Sequence, residues 1–378
     1  MFDFDTRIPR TGTGAIKWDR YKTKDVLPMW VADMDFRSPP AIIDALKKRV
    51  EHGVFGYTVA PEELTSVVLE RLSRLYNWQV QPEWLVWLPG LVSGLNVTCR
   101  AVGEPENSVL STVPIYPPFL SAPKNQQRQL QTCRMYLNGE RWEIDWQALE
   151  ESIDSSTALF ILCNPHNPLG RMFEEQELRQ LADICERHNL IICSDEIHCD
   201  LLLDQTKQHI PTATLSPEIA DRTITLMAPS KTFNIAGLGL SFAVIPNPEL
   251  RKKFEAAKLG IVPYPNALGY TAALAAYQDG QEWLDELLDY LRTNERLVYE
   301  RVNAMPGLST TPVEATYLAW IDARSVSENP YQFFLKHGIA FSDGTEFDGD
   351  GYVRLNFGCP RSMLEEVLDR MEEALKDQ

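Results

Sequence analysis

The sequence predicts an α/β protein: a large domain built on a mainly parallel sheet, joined to a smaller α+β domain. Three observations carry this. Short apolar runs ended by Pro, Asn or Asp recur through the middle of the chain. A helical pattern separates two of them at βαβ spacing, and residues 276–378 change to long amphipathic helices framing two short strands.

Taken in order, residues 1–45 form an N-terminal segment expected to join the small domain, and 46–275 form the large domain. An apolar strand in "WLVWLPG" runs into Pro89-Gly90, and a helix begins near Leu91. "SVLSTVP" (108–114), "TALFILCNP" (157–165), "NLIICSDE" (189–196), "RTITLMAPS" (222–230) and "LSFAVIPN" (240–247) read as buried strands. Between the second and third of these, Leu178, Leu181, Ile184 and Cys185 recur at helical spacing, which implies a parallel βαβ unit. "GIVPYPNALGY" (260–270) reads as the joint. Beyond it come a long helix with Leu284, Leu287, Leu288, Leu291 and Val298 on one side, the strands "TYLAWID" and "GYVRLNF", and a closing helix carrying Leu364, Val367, Leu368 and Met371.

Composition narrows the function. A length of 378 residues suits two domains, and 44% apolar with 24% charged residues is ordinary for a globular protein. The net charge of −17 argues against a nucleic-acid partner, which needs a basic surface, but not against a small anionic ligand. No apolar stretch is long enough for a bilayer, and the amino terminus lacks a secretory pattern. The seven cysteines are scattered without a C-x-x-C pair, which fits a reducing cytoplasm and no structural metal.

Ligands of an open parallel sheet bind beyond the carboxyl ends of its strands. Tyr116, Asn167, Asp195 and Lys231 each follow one of the apolar runs, so an aromatic, an amide, a carboxylate and an amine gather on one edge. The helix that begins near Leu91, after Pro89-Gly90, has free N–H groups of the kind that bind a phosphate, though Gly at such a turn is common. Pyridoxal phosphate (PLP) needs each of these: a lysine for its aldehyde, a carboxylate for its ring nitrogen, an amide for its phenolic oxygen, and an aromatic to stack on the ring.

The blocks "NPHNP-G", "SDE" and "SK-----G" resemble the aspartate-aminotransferase-like (fold-type I) PLP enzymes from about residue 25 onwards. The blocks "LPMWVADMDF", "HGVFGYT", "PIYPPF", "SDEIH-D", "APSKTFNIAGL", "ATYLAW" and "VRLNFGCPRS" resemble more narrowly the MalY/PatB cystathionine β-lyase (C–S lyase) branch. The resemblance implies that Lys231 forms the Schiff base and that Asp195 pairs with the ring nitrogen. It implies that Asn167 bonds the phenolic oxygen, that Tyr116 stacks on the ring, and that the backbone N–H groups of Gly90, Leu91 and Val92, helped by Ser230, hold the phosphate. Arg354 would clamp the substrate α-carboxylate, with Asn167, Ala32 and Asp33 shaping the substrate entrance. Tyr57 matches a tyrosine that reaches the neighbouring subunit's phosphate, which implies a homodimer acting on a small amino-acid substrate.

Ala228 and Gly239 stand where many aminotransferases of this fold carry phosphate ligands, a departure that favours the lyase branch. Alternatives remain at this stage. His198 reads equally as a phenolic-oxygen partner or as a packed histidine, and Glu196 reads as solvated surface. β-Elimination leads, an aminotransferase is the runner-up, and a regulatory protein-binding role stands beside either.

Overall fold

In the computed structural model, which describes residues 1–376, a seven-stranded sheet organises the middle of the chain. Across it run Leu85–Leu88, Ser241–Val244, Thr223–Met227, Ile191–Asp195, Thr157–Cys163, Ser108–Val113 and Leu130–Arg134. From Thr223–Met227 to the Leu130–Arg134 edge the pairing is parallel. These strands are short and dense in Val, Ile, Leu and Thr, and the four inner ones are almost wholly buried, as a sheet covered on both faces requires.

Ser241–Val244 is the exception, antiparallel to both of its neighbours. The chain between Met227 and Ser241 contains only a short 3-10 turn at Ala236–Leu238, with no crossover helix to carry it back. It therefore doubles back. Two reversals restore direction, so Leu85–Leu88 also ends at the edge where the parallel strands end. Gly239, at φ 60°, makes the fold-back; a Cβ there would be strained and would stand 3.1 Å from the Pro89 carbonyl.

Helices cover the sheet. Leu91–Ala101 packs Leu91, Leu95 and Val97 into the same apolar cluster as Val109, Ile161 and Leu226. Glu175–Arg187 buries Leu178, Leu181, Ile184 and Cys185, as its periodicity predicts, and starts with a capping box between Glu174 and Glu177. Helices Pro40–Glu51 and Glu62–Tyr76, which the sequence reading passed over, both pack on Ala267–Asp279. That last helix occupies the end of the expected joint; Asn266 caps it by accepting the Gly269 N–H.

A four-stranded antiparallel sheet, Ser309–Thr310, Leu318–Asp322, Tyr352–Asn356 and Ser342–Asp343 in that order, lies under the helices Gln281–Ala304 and Arg361–Lys376. The amino-terminal segment joins this part of the molecule. Leu27–Pro28 pairs in parallel with Ile339–Ala340, and Phe4, Met29 and Phe36 share an apolar cluster with Leu287, Leu355 and Leu364. Among the described residues no helix is long and apolar enough to cross a membrane, and all seven cysteines are buried thiols.

Candidate active site

Five strand ends and one helix start converge on a cavity of about 220 Å³. The sheet supplies Tyr116, Asn167 and Asp195 from successive parallel strands, and Ser230 and Lys231 from the turn after Thr223–Met227. Gly90, Leu91 and Val92 form the wall where the Leu91–Ala101 helix begins. Ala32 and His198 also line it, as the sequence placed them. Cys163, Ser93 and Ile197 also line the cavity; the sequence reading did not single them out.

Lys231 donates from Nζ to the Ala32 carbonyl at 2.6 Å, and the Tyr317 hydroxyl donates to the same oxygen at 2.9 Å. Burial draws the lysine ammonium down to about 8; Arg354 pushes the same way, and Asp33 and Asp195 oppose it. Asp195 shows the mirror effect. Burial lifts its carboxyl to about 7, although it accepts the Ile197 N–H at 3.1 Å. Burial also lowers His198 to about 3, so its imidazole is neutral at physiological pH, and its Nδ1 has no partner.

Arg354 stands behind the wall, not on it. Its Nη1 donates to Asn167 Oδ1 at 2.9 Å, and its Nη2 to the Trp30 carbonyl at 2.7 Å and Ser342 Oγ at 3.0 Å. Its Nε is buried and unpartnered, and burial lowers the guanidinium to about 10. Asp33 lies beside the wall residue Ala32 and is gripped by Arg10 at 2.9 Å. Tyr57 is elsewhere. It is fully exposed (112%) and lines a separate apolar groove with Phe55, Val59 and Tyr264.

One expectation is overturned. Glu196 is not solvated surface but fully buried: Oε2 lies 2.8 Å from His209 Nε2, and Oε1 accepts Ser194 Oγ at 2.8 Å and the Thr212 N–H at 3.0 Å. The reason is register. The residue after Asp195 enters the layer beneath the sheet, and a carboxylate survives there because its lone pairs are used.

The donor set suits PLP. The first-turn N–H groups of Leu91–Ala101 have no side-chain cap, and a Cβ on Gly90 would meet no protein atom within 4 Å, leaving room for a phosphate at the helix start. The unpartnered His198 nitrogen and the buried Asp195 carboxylate each await a polar group of opposite character.

The sequence profile of the family "Aminotransferase class I and II" matches residues 24–371. The chain belongs to that family. Cystathionine beta-lyase PatB of Bacillus subtilis is 38% identical over 99% of this chain and 100% of its own length. The crystal structure of OvoB superposes with a TM-score of 0.98 at 50% identity, covering 100% of both chains. Cystalysin from Treponema denticola, whose crystal structure contains a pyridoxal 5'-phosphate cofactor, superposes with a TM-score of 0.96 at 35% identity over 100% of this chain and 99% of its own.

Proposed function

We propose that the protein is a PLP-dependent carbon–sulfur lyase that acts on L-cystathionine or a related cysteine conjugate. The observation that carries this reading is Lys231: an amine brought to about 8 by burial, in a cavity that also presents Asp195, Asn167 and Tyr116. The likeness to cystathionine β-lyases over the full chain supports the same reading.

When bound, PLP supplies an electron sink for the charge left at the substrate's Cα. The chain's residues do the rest. Lys231 would anchor the cofactor through Nζ and, as the free amine, would take the α-proton, for which an amine titrating near neutrality is suited. Asp195, as the anion, keeps the ring nitrogen protonated. Asn167 and His198 hold the ring oxygen, and Tyr116 stacks on the ring face. The N–H groups of Gly90, Leu91 and Val92, with Ser230, hold the phosphate. Arg354 binds the α-carboxylate through its planar fork, with Asn167 and the segment at Ala32 and Asp33 enclosing it. The net reaction breaks the Cα–H and Cβ–S bonds and, with one water, gives a thiol, pyruvate and ammonia.

The active form is read as a homodimer. Phe55, Tyr57, Val59 and Tyr264 are exposed apolar side chains lining one groove, a surface that a second copy would cover while bringing Tyr57 to its neighbour's phosphate. Residues 1–45 and 276–378 are assigned to one small domain, supported by the pairing of Leu27–Pro28 with Ile339–Ala340. The seven buried thiols favour a cytoplasmic setting.

The test is product analysis on L-cystathionine. Pyruvate and thiol released in equal amounts without a 2-oxo acid support the lyase; turnover that requires a 2-oxo acid selects an aminotransferase and overturns it.

A further inference from the structure

The segment Trp30–Asp35 offers carbonyls to both cations of the site: Ala32 to Lys231, and Trp30 to Arg354. It is held from two sides. On the inner side, Asn356 Nδ2 donates to the carbonyls of Val31 (2.5 Å) and Asp33 (2.8 Å), and Asn234 exchanges hydrogen bonds with the Met34 backbone at 2.9 Å. Both asparagines sit beside named site residues, three positions after Lys231 and two after Arg354.

The outer side is ionic. Lys17 is completely buried (0%) and its Nζ lies 2.6 Å from Asp35 Oδ2 and 3.2 Å from the Asp33 carbonyl. Arg10 spans Asp33 with Nη1 at 3.0 Å and Nη2 at 2.9 Å, and reaches Asp35 Oδ1 at 2.6 Å. Trp18 Nε1 donates to Asp35 Oδ1 at 2.8 Å, and Trp30 Nε1 donates to the Lys17 carbonyl at 3.1 Å. Two cations and two anions close on themselves, so the cluster is neutral. Buried charge clusters are poor sources of stability compared with apolar packing of the same volume. A fixed backbone geometry is what this one provides.

We propose that Lys17 and Arg10 are positioning residues for Lys231: with Asp33 and Asp35 they lock Trp30–Asp35 so that the Ala32 carbonyl receives the Lys231 amine whenever it is free. This rests on the reading of Lys231 as the proton carrier. A lysine displaced from the cofactor must neither wander nor swing into solvent, and a carbonyl 2.6 Å away on a fixed segment restrains it. The groups that bear electrostatically on Lys231 are Asp33, Asp195 and Arg354, with His198 neutral. Of these, Asp33 is the one whose charge Arg10 offsets.

The experiment uses the holoenzymes of Arg10→Met, Arg10→Lys and Lys17→Met. Two readouts are followed across pH: the visible band of the bound cofactor, which titrates with the proton on the Lys231 nitrogen, and exchange of the α-proton of L-alanine with solvent deuterium. Arg10→Met leaves Lys17 alone to offset both Asp33 and Asp35, one negative charge in excess, so the band midpoint should rise by roughly one unit and exchange should slow by about tenfold. Arg10→Lys should restore the midpoint. Lys17→Met should slow exchange likewise; if it does not fold, the partly exposed Arg10 variants decide alone. Slower exchange with an unmoved midpoint, or no change in either, overturns the proposal. A wild-type protein with neither band nor exchange would instead refute the PLP reading itself.

Discussion

Asp195 carries its charge at a cost when the cofactor is absent. Its folded value of about 7 lies above the ordinary 3.8, so the folded chain holds a proton that the unfolded chain has lost. The stabilising contribution is full below the ordinary value and is gone once pH rises through about 7. Asp195→Asn should therefore raise the melting temperature of cofactor-free protein by a few degrees at about pH 9 and by less than half as much at about pH 5, where only part of the penalty has built up. Calorimetry at the two pH values checks this, and equal shifts would contradict it. Arg354 owes its grip to geometry. Its guanidinium already spans Asn167, Trp30 and Ser342, which a lysine cannot reproduce. Arg354→Lys should lower kcat/KM for L-cystathionine roughly 10- to 100-fold, mainly through KM, in steady-state kinetics. Lys231 and Asp195 were legible in the sequence because each ends an apolar run. Tyr317 and the Arg10–Lys17 cluster were not, since their roles come from contacts between distant segments that no local spacing records. Glu196 was misread for the same reason: its three partners lie up to sixteen positions away.

At the scale of elements, the helix Leu91–Ala101 makes the clearest prediction. Gly90 has extended backbone, and a Cβ there meets no protein atom. Gly90→Ala should thus leave the stability of cofactor-free protein within about 0.5 kcal/mol of wild type. It should nevertheless weaken PLP affinity by about tenfold, because the methyl group intrudes where the phosphate approaches the N–H groups. Fluorescence titration of the cofactor against thermal melting separates the two effects. The four inner parallel strands were readable as apolar runs ended by Pro, Asn or Asp, and both long carboxyl-terminal helices from their periodicity. The antiparallel turn of Ser241–Val244 was not, because an apolar run marks a strand without marking its direction. The edge strand Leu130–Arg134 also escaped, since "LQTCR" is half polar and only its pairing with Ser108–Val113 makes it a strand.

At the scale of the molecule, Tyr57 lies away from its own chain's cavity, and only a second copy gives it the role proposed. Mixing the separately inactive Lys231→Ala and Tyr57→Ala proteins, then allowing subunits to exchange, should restore roughly a quarter of wild-type activity, because half the dimers carry one intact site. No recovery in an exchanged mixture would remove Tyr57 from the neighbouring site. Tyr57 lines a groove separate from the strand ends of the cavity, so only motif likeness marks it in the sequence. Everything else depends on Lys231 being the covalent anchor. Borohydride reduction of the holoenzyme followed by peptide mass mapping tests this most directly. A reduced pyridoxyl adduct on Lys231, absent from Lys231→Ala, is the predicted result; an adduct on any other lysine, with Lys231 unmodified, would contradict it.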